Sequence, residues 1–165
     1  MPSSDVNVLV AAYDKSSVHH NIALEWLLAI LGGDAQFTVF PIVLSAFLRI
    51  MTRSPRLVDP SQKAECAAFI RRITSSPNFV ASASTKDPTE RLLMFFDTPG
   101  VQGNAVPDAY LAALAIEHDC EWVTFDRGFA RVSGPALAAA RLTGLGDDMA
   151  VVVDCASEDD DHARR

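Results

Sequence analysis

The sequence predicts an α/β fold, a sandwich of helices around a central, mostly parallel sheet, and three observations predict it. Short apolar, β-prone runs alternate with helix-forming stretches along the chain, the pattern of strand–helix–strand units. Prolines stand where helices open, and glycine or aspartate stands where they close. The stretch 104–134, NAVPDAYLAALAIEHDCEWVTFDRGFARVSG, holds the unit in miniature, as loop, helix, short strand and turn.

Taken in order, Asp5 is placed to cap a helix starting near Val6 in the apolar run VNVLVAAY. Asp14-Lys15-Ser16-Ser17 reads as a turn whose Ser17 caps a helix over 18–31, with Ile22, Trp26, Leu27, Ile30 and Leu31 at helical spacing. Gly32-Gly33-Asp34 ends it, residues 37–40 are strand-like, and Pro41 opens a helix to about Thr52. Ser54-Pro55-Arg56 is a break. Pro60 and Ser61 begin a helix to about Thr74, with Ala64, Ala67, Ala68 and Ile70 among its expected buried positions. Residues 79–81 form a short strand, residues 88–96 a helix, and Thr98-Pro99-Gly100 a loop. Pro107 is read as the first residue of a helix whose Ala- and Leu-rich body runs over 109–118, because proline there gives up only an N–H with no partner. Asp119 and Cys120 break that helix, and residues 122–125 form the next strand. Residues 135–142 read as a short helix, 144–148 as a turn, and 150–154 as a β-branched strand.

The chain of 165 residues is long enough for one domain with a real core, expected over 1–155, followed by an acidic tail at 156–165 read as disordered. The net charge of −7 excludes binding nucleic acid by bulk attraction, so any such contact needs a local basic patch. Cys66, Cys120 and Cys155 are widely spaced and odd in number, which argues against a disulfide framework or zinc ribbon and for a reducing compartment. The amino terminus lacks the basic and apolar segments of a signal peptide, and no apolar run reaches the roughly 18 residues of a membrane span. A cytoplasmic protein without membrane contact is expected.

Asp108 near a helix start and Asp126 just past a strand are candidates for one site, because ligands of open α/β sheets bind outside the carboxyl ends of the strands. Asp5 joins them on motif grounds. Asp5 in DVNVLVAA, Asp108 in GNAVPDAYLAALAIEH and Asp126 in VTFDRGFAR follow one another in an order that resembles the PIN-domain ribonucleases, specifically the VapC toxins of VapBC toxin–antitoxin pairs. The resemblance covers about residues 5–134. It implies a three-layer α/β/α sandwich, with Asp5, Asp108 and Asp126 gathered around Mg²⁺ or Mn²⁺ at the sheet edge. It also implies cleavage of RNA, inhibition by a VapB antitoxin, and a homodimer. The chemistry is coherent. Two carboxylates ~5 Å apart repel by roughly 3 kcal/mol at an effective dielectric of about 20. A hard divalent ion offsets that repulsion, accepts oxygen ligands and can activate water for attack on a phosphodiester.

The sequence also departs from that family. Where PIN nucleases carry Glu in a pattern like E-F-L-R, this chain reads Ser45-Ala46-Phe47-Leu48-Arg49, so Ala46 takes the Glu position. Gly128 stands where many relatives place another acid, and only four residues precede Asp5, so either the first strand is very short or the recorded start lies downstream of the true one. A catalytically impaired PIN-like protein-binding module is therefore the alternative reading. Glu117 falls about 180° round the helix from Asp108, so it does not replace the missing Glu. An aspartyl-phosphate site would need a second acid where Asn7 stands.

Around the acids, Asn7 and Thr124 are read either as hydrogen-bonding supports of the site or as a local cap and an ordinary strand residue. Asn104 caps the Asp108 helix or touches substrate, and Arg127 is an internal ion-pair partner. Arg49 and Arg53, together with Arg56, form the best basic cluster. Arg49 and Arg53 share a helix face with Ala46 and suit either phosphate contact or plain surface charge. His19 and His20 are read as solvated surface, the aromatics as core or dimer interface, and the cysteines as small buried hydrophobes.

Overall fold

The structure, a computed structural model, describes residues 1–53, 60–82, 87–126 and 151–153. Arg56, Arg127, Gly128, Cys155, the expected helix over 135–142 and the tail 156–165 lie outside the described residues. The elements in order are β1 (Pro2–Ser4), α1 (Val6–Tyr13), α2 (His20–Gly32), α3 (Pro41–Arg53), α4 (Pro60–Thr74), α5 (Thr89–Phe96), α6 (Ala105–Glu117), β2 (Glu121–Thr124) and β3 (Val151–Val153).

The sheet runs β1-β2-β3. β1 is parallel to β2, with Ser3 opposite Trp122 and Ser4 opposite Val123, while β3 is antiparallel to β2. The segment expected as a strand at 37–40 extends the outer edge of β1 without becoming a named strand. Thr38 N–H donates to the Pro2 carbonyl at 3.0 Å, and Phe37 makes a single parallel bridge with Phe79. β1 is short, three residues. The sheet accepts it because the Pro2–Ser4 backbone pairs with β2 whatever its side chains are. The buried hydroxyls of Ser3, Ser4 and Thr38 have no hydrogen-bond partner among the described residues.

Against this sheet pack α1 and α6, with α2 and α3 on α1 and α5 on α6. The core gathers Leu9, Phe37, Phe40, Val43, Phe47, Ile73 and Trp122, each at most 2% exposed. Tyr13, Phe47 and Phe69 meet edge-on or tilted with centroids 5.2 to 5.6 Å apart, joining α1, α3 and α4. α6 buries Ala109, Ala112, Ala113, Leu114 and Ala115, a mostly small surface that lets its backbone lie close to β2. Cys66 and Cys120 are buried, as expected of small hydrophobes.

Several local expectations shift. α4 buries Cys66 and Ile73, with Phe69 and Ile70 half-buried, whereas Ala64 and Ala68 are exposed. The larger side chains hold the apolar face because they remove more area from water. Pro107 is the third residue of α6 rather than the first, still inside the turn whose N–H groups lack helical partners. Asn104 stands at the cap position in helical conformation and makes no side-chain cap. His19 rather than Ser17 precedes α2. α6 ends in a Schellman motif: Cys120 N–H donates to the Ala115 carbonyl at 2.8 Å and Asp119 N–H to Ile116 at 3.0 Å. Asp119 occupies the left-handed position with φ 51°, which aspartate tolerates better than most residues. Among the described residues, no helix is long and apolar enough to cross a membrane.

Candidate active site

Asp5 leaves β1 and begins α1. Its N–H continues the β1–β2 ladder to the Val123 carbonyl at 2.9 Å. Its Oδ1 caps α1 by accepting from Val6 N–H. The parallel register that sets Ser4 against Val123 brings the next residue, Asp5, beside Thr124. Oδ2 accepts from the Thr124 hydroxyl and from Asn7 Nδ2, both at 2.8 Å. Asn7 Nδ2 also donates to Thr124 Oγ1 at 2.8 Å, and Asn7 Oδ1 accepts from Phe125 N–H at 3.2 Å. The Thr124 hydroxyl also receives Asp126 N–H at 3.0 Å. Asn7 and Thr124 thus knit the ends of β1 and β2 together and hold Asp5, only 8% exposed, between them.

Asp108 enters from the first turn of α6. Asp5 and Asp108 line one cavity of about 310 Å³, together with Ile42, Ser45, Ala46 and Arg49 of α3. The family's Glu position therefore opens onto the same space, where Ala46 presents a methyl group. Arg49 lines the cavity and Arg53 is exposed further along α3.

The electrostatics join the acids. Burial, and then repulsion from Asp126 and Asp5, pushes the Asp108 carboxyl up to about 6. Burial raises Asp5 as well, with the Asp126 charge adding to it, and hydrogen bonds from Thr124, Val6 and Asn7 work against the rise. Asp108 therefore feels the charges of Asp126 and Asp5, Asp5 feels that of Asp126, and burial takes water from Asp5 and Asp108. The carboxylate oxygens suit a hard divalent ion. An ionised Asp5 has about four acceptor sites, and Thr124, Asn7 Nδ2, Val6 N–H and the Asn7 backbone N–H all act on its carboxylate. Among the described residues, no three His, Cys, Asp or Glu side chains close into a ready-made ligand set. Asp5, Asp108 and Asp126 are all among those residues, so as placed the three carboxylates do not close on one ion; Asp5 and Asp108 line the cavity and Asp126 does not.

Residues 4–135 match the PIN domain model. The chain belongs to the PIN-domain family. Within that family it is 36% identical over 131 residues to Ribonuclease VapC31 of Mycobacterium tuberculosis, covering 77% of this chain and 89% of the relative. It is 34% identical over 127 residues to Ribonuclease VapC25 of the same species, with the same coverage. These relatives place this PIN domain in the VapC branch. Its fold matches the crystal structure of M. tuberculosis VapC20, a sarcin–ricin-loop-cleaving toxin, with TM-score 0.60 at 14% identity over 79% of this chain and 94% of that one. It also matches VapBC2 from Rickettsia felis bound to a promoter DNA fragment, with TM-score 0.52 at 19% identity over 78% and 90%.

In this PIN domain two histidines depart from the solvated surface expected of them. His20 Nδ1 lies 2.9 Å from the Ala11 carbonyl, and the His19 ring stacks on Phe125 with centroids 4.5 Å apart. No spacing in the sequence signals that stack. Glu117, turned away from the site, pairs with Arg91 at 2.6 Å.

Proposed function

We propose that this PIN domain hydrolyses RNA phosphodiester bonds with Mg²⁺ or Mn²⁺ held by Asp5, Asp108 and Asp126. The observation that carries the proposal is the shared cavity of Asp5 and Asp108, two acids 103 positions apart in the chain, with the charge of Asp126 acting on both. A bound divalent ion would supply a water nucleophile and neutralise phosphoryl charge. Asp5 holds its carboxylate in a fixed direction through Asn7 and Thr124. Asp108 lines the same cavity, and Arg49, which also lines it, offers a guanidinium to an RNA phosphate. Arg53 extends that basic edge for a longer strand. A cytoplasmic setting and a homodimer complete the reading, as does a VapB-type antitoxin that sets a basic side chain among the acids. The VapBC name of the R. felis structure supports the antitoxin. Cleavage of a structured RNA is expected with Mg²⁺ or Mn²⁺, and Asp108→Asn is expected to abolish it. Cleavage that persists in the purified variant refutes the assignment.

The methyl group of Ala46 in the cavity favours a second reading, in which the domain binds its protein partner but cleaves poorly. Ala46→Glu separates the two. Activity that appears only in the Ala46→Glu variant supports the binding module, and wild-type cleavage at a rate the substitution does not change supports the nuclease.

A further inference from the structure

The turn between α1 and α2 reaches the sheet edge through one ring. The His19 imidazole lies on Phe125 with planes 13° from parallel, and both residues are half-buried. The turn is itself tied down. Ser16 donates twice to the Asp14 carboxylate, the Ser17 hydroxyl accepts from His19 N–H at 3.3 Å, and His20 is anchored on the Ala11 carbonyl. Phe125 is the residue between Thr124 and Asp126. β2 ends at Thr124, so beyond it the strand ladder no longer fixes the chain. Contacts of the residues themselves take over, with Phe125 N–H held by Asn7 Oδ1, the Phe125 ring by His19 and Asp126 N–H by Thr124 Oγ1.

We infer that His19 is a positioning residue. By stacking on Phe125 it fixes the backbone that brings Asp126 toward the cation held by Asp5 and Asp108, a reading that rests on the cation site proposed above. A ligand at the end of a strand needs such support, because small displacements of site groups carry large losses. The stack acts on the third acid without touching substrate.

The test titrates Mn²⁺ into the full chain without RNA, by calorimetry, and follows cleavage of a labelled RNA in parallel. His19→Ala is expected to bind Mn²⁺ roughly two- to tenfold more weakly, the range that an aromatic pair supports. Its kcat falls while KM for RNA holds, and amide exchange at Phe125 and Asp126 quickens. His19→Phe, which keeps a ring on Phe125, restores all three. Should His19→Ala fail to fold, Phe125→Leu carries the same expectations. Wild-type Mn²⁺ affinity in the variant that removes the stack overturns the inference. So does a raised KM with intact kcat, which would make His19 an RNA contact, and so does a His19→Phe variant as weak as His19→Ala. A wild-type chain that takes up no Mn²⁺ and cleaves no RNA removes the cation site itself, and the inference with it.

Discussion

Replacing Asp108 with Asn isolates the electrostatic strain in the site. Folding lifts this carboxyl from its ordinary 3.8 to about 6, first by burial and then by the charges of Asp126 and Asp5. Between those values the folded chain keeps a proton that the unfolded chain has released. Stability from this group is therefore fully present at low pH, falls as pH climbs from about 4 to about 6, and stays reduced above. At about 1.36 kcal/mol per pH unit the loss is at most about 3 kcal/mol. Asp108 is only half-buried, so water and salt screen the interaction and about 1 kcal/mol is the expected remainder. For a domain of this size that corresponds to roughly 2–4 °C in Tm. Asn keeps the shape and removes the charge. In chelating buffer near pH 8, Asp108→Asn should melt about 2–4 °C above the wild type, and near pH 4 the two should converge. Mn²⁺ should raise the wild-type Tm and leave the variant nearly unmoved. Thermal melts followed by circular dichroism, with and without Mn²⁺, read each of these. A variant no more stable than wild type near pH 8, or a gap that persists near pH 4, refutes the reasoning.

Three further outcomes follow from the same contacts. Asn7→Ala removes donors to Asp5 and Thr124 and the acceptor for Phe125 N–H. It should weaken Mn²⁺ binding by about 10- to 100-fold, as loss of a group that orients metal ligands does, and calorimetry measures it. Ser4→Ala deletes a fully buried hydroxyl with no hydrogen-bond partner among the described residues, so urea denaturation should show stability unchanged or higher by up to about 1 kcal/mol. Phe47→Ala empties the junction of α1, α3 and α4 beside Tyr13 and Phe69, and should cost about 3–5 kcal/mol in the same denaturation assay.

Local chemistry made much of this molecule legible from its residues. Proline and glycine punctuation placed α3, α4 and α5 within a residue or so of their observed ends. Where the reading slipped, a choice among neighbours was involved. α4 carries apolar residues around much of its surface, and only the meeting with Tyr13 and Phe47 selects Cys66, Phe69 and Ile73 over Ala64 and Ala68. Asn104 has the right side chain for a cap, but its helical backbone turns that side chain out of reach of the first turn.

The sequence by itself determined the alternation of elements, the family pattern and the three acids, because these depend on residue identity and near-neighbour spacing. Tertiary structure decided how those acids are held. The parallel register between β1 and β2 set Asp5 beside Thr124, Asn7 closed the network across 117 positions of chain, and Ala46 and Arg49 came to line the cavity of Asp108. His19 reached Phe125 in the same way. Such contacts join residues distant along the chain, and their energy appears only when packing removes water from between them, so no local pattern in the sequence records them.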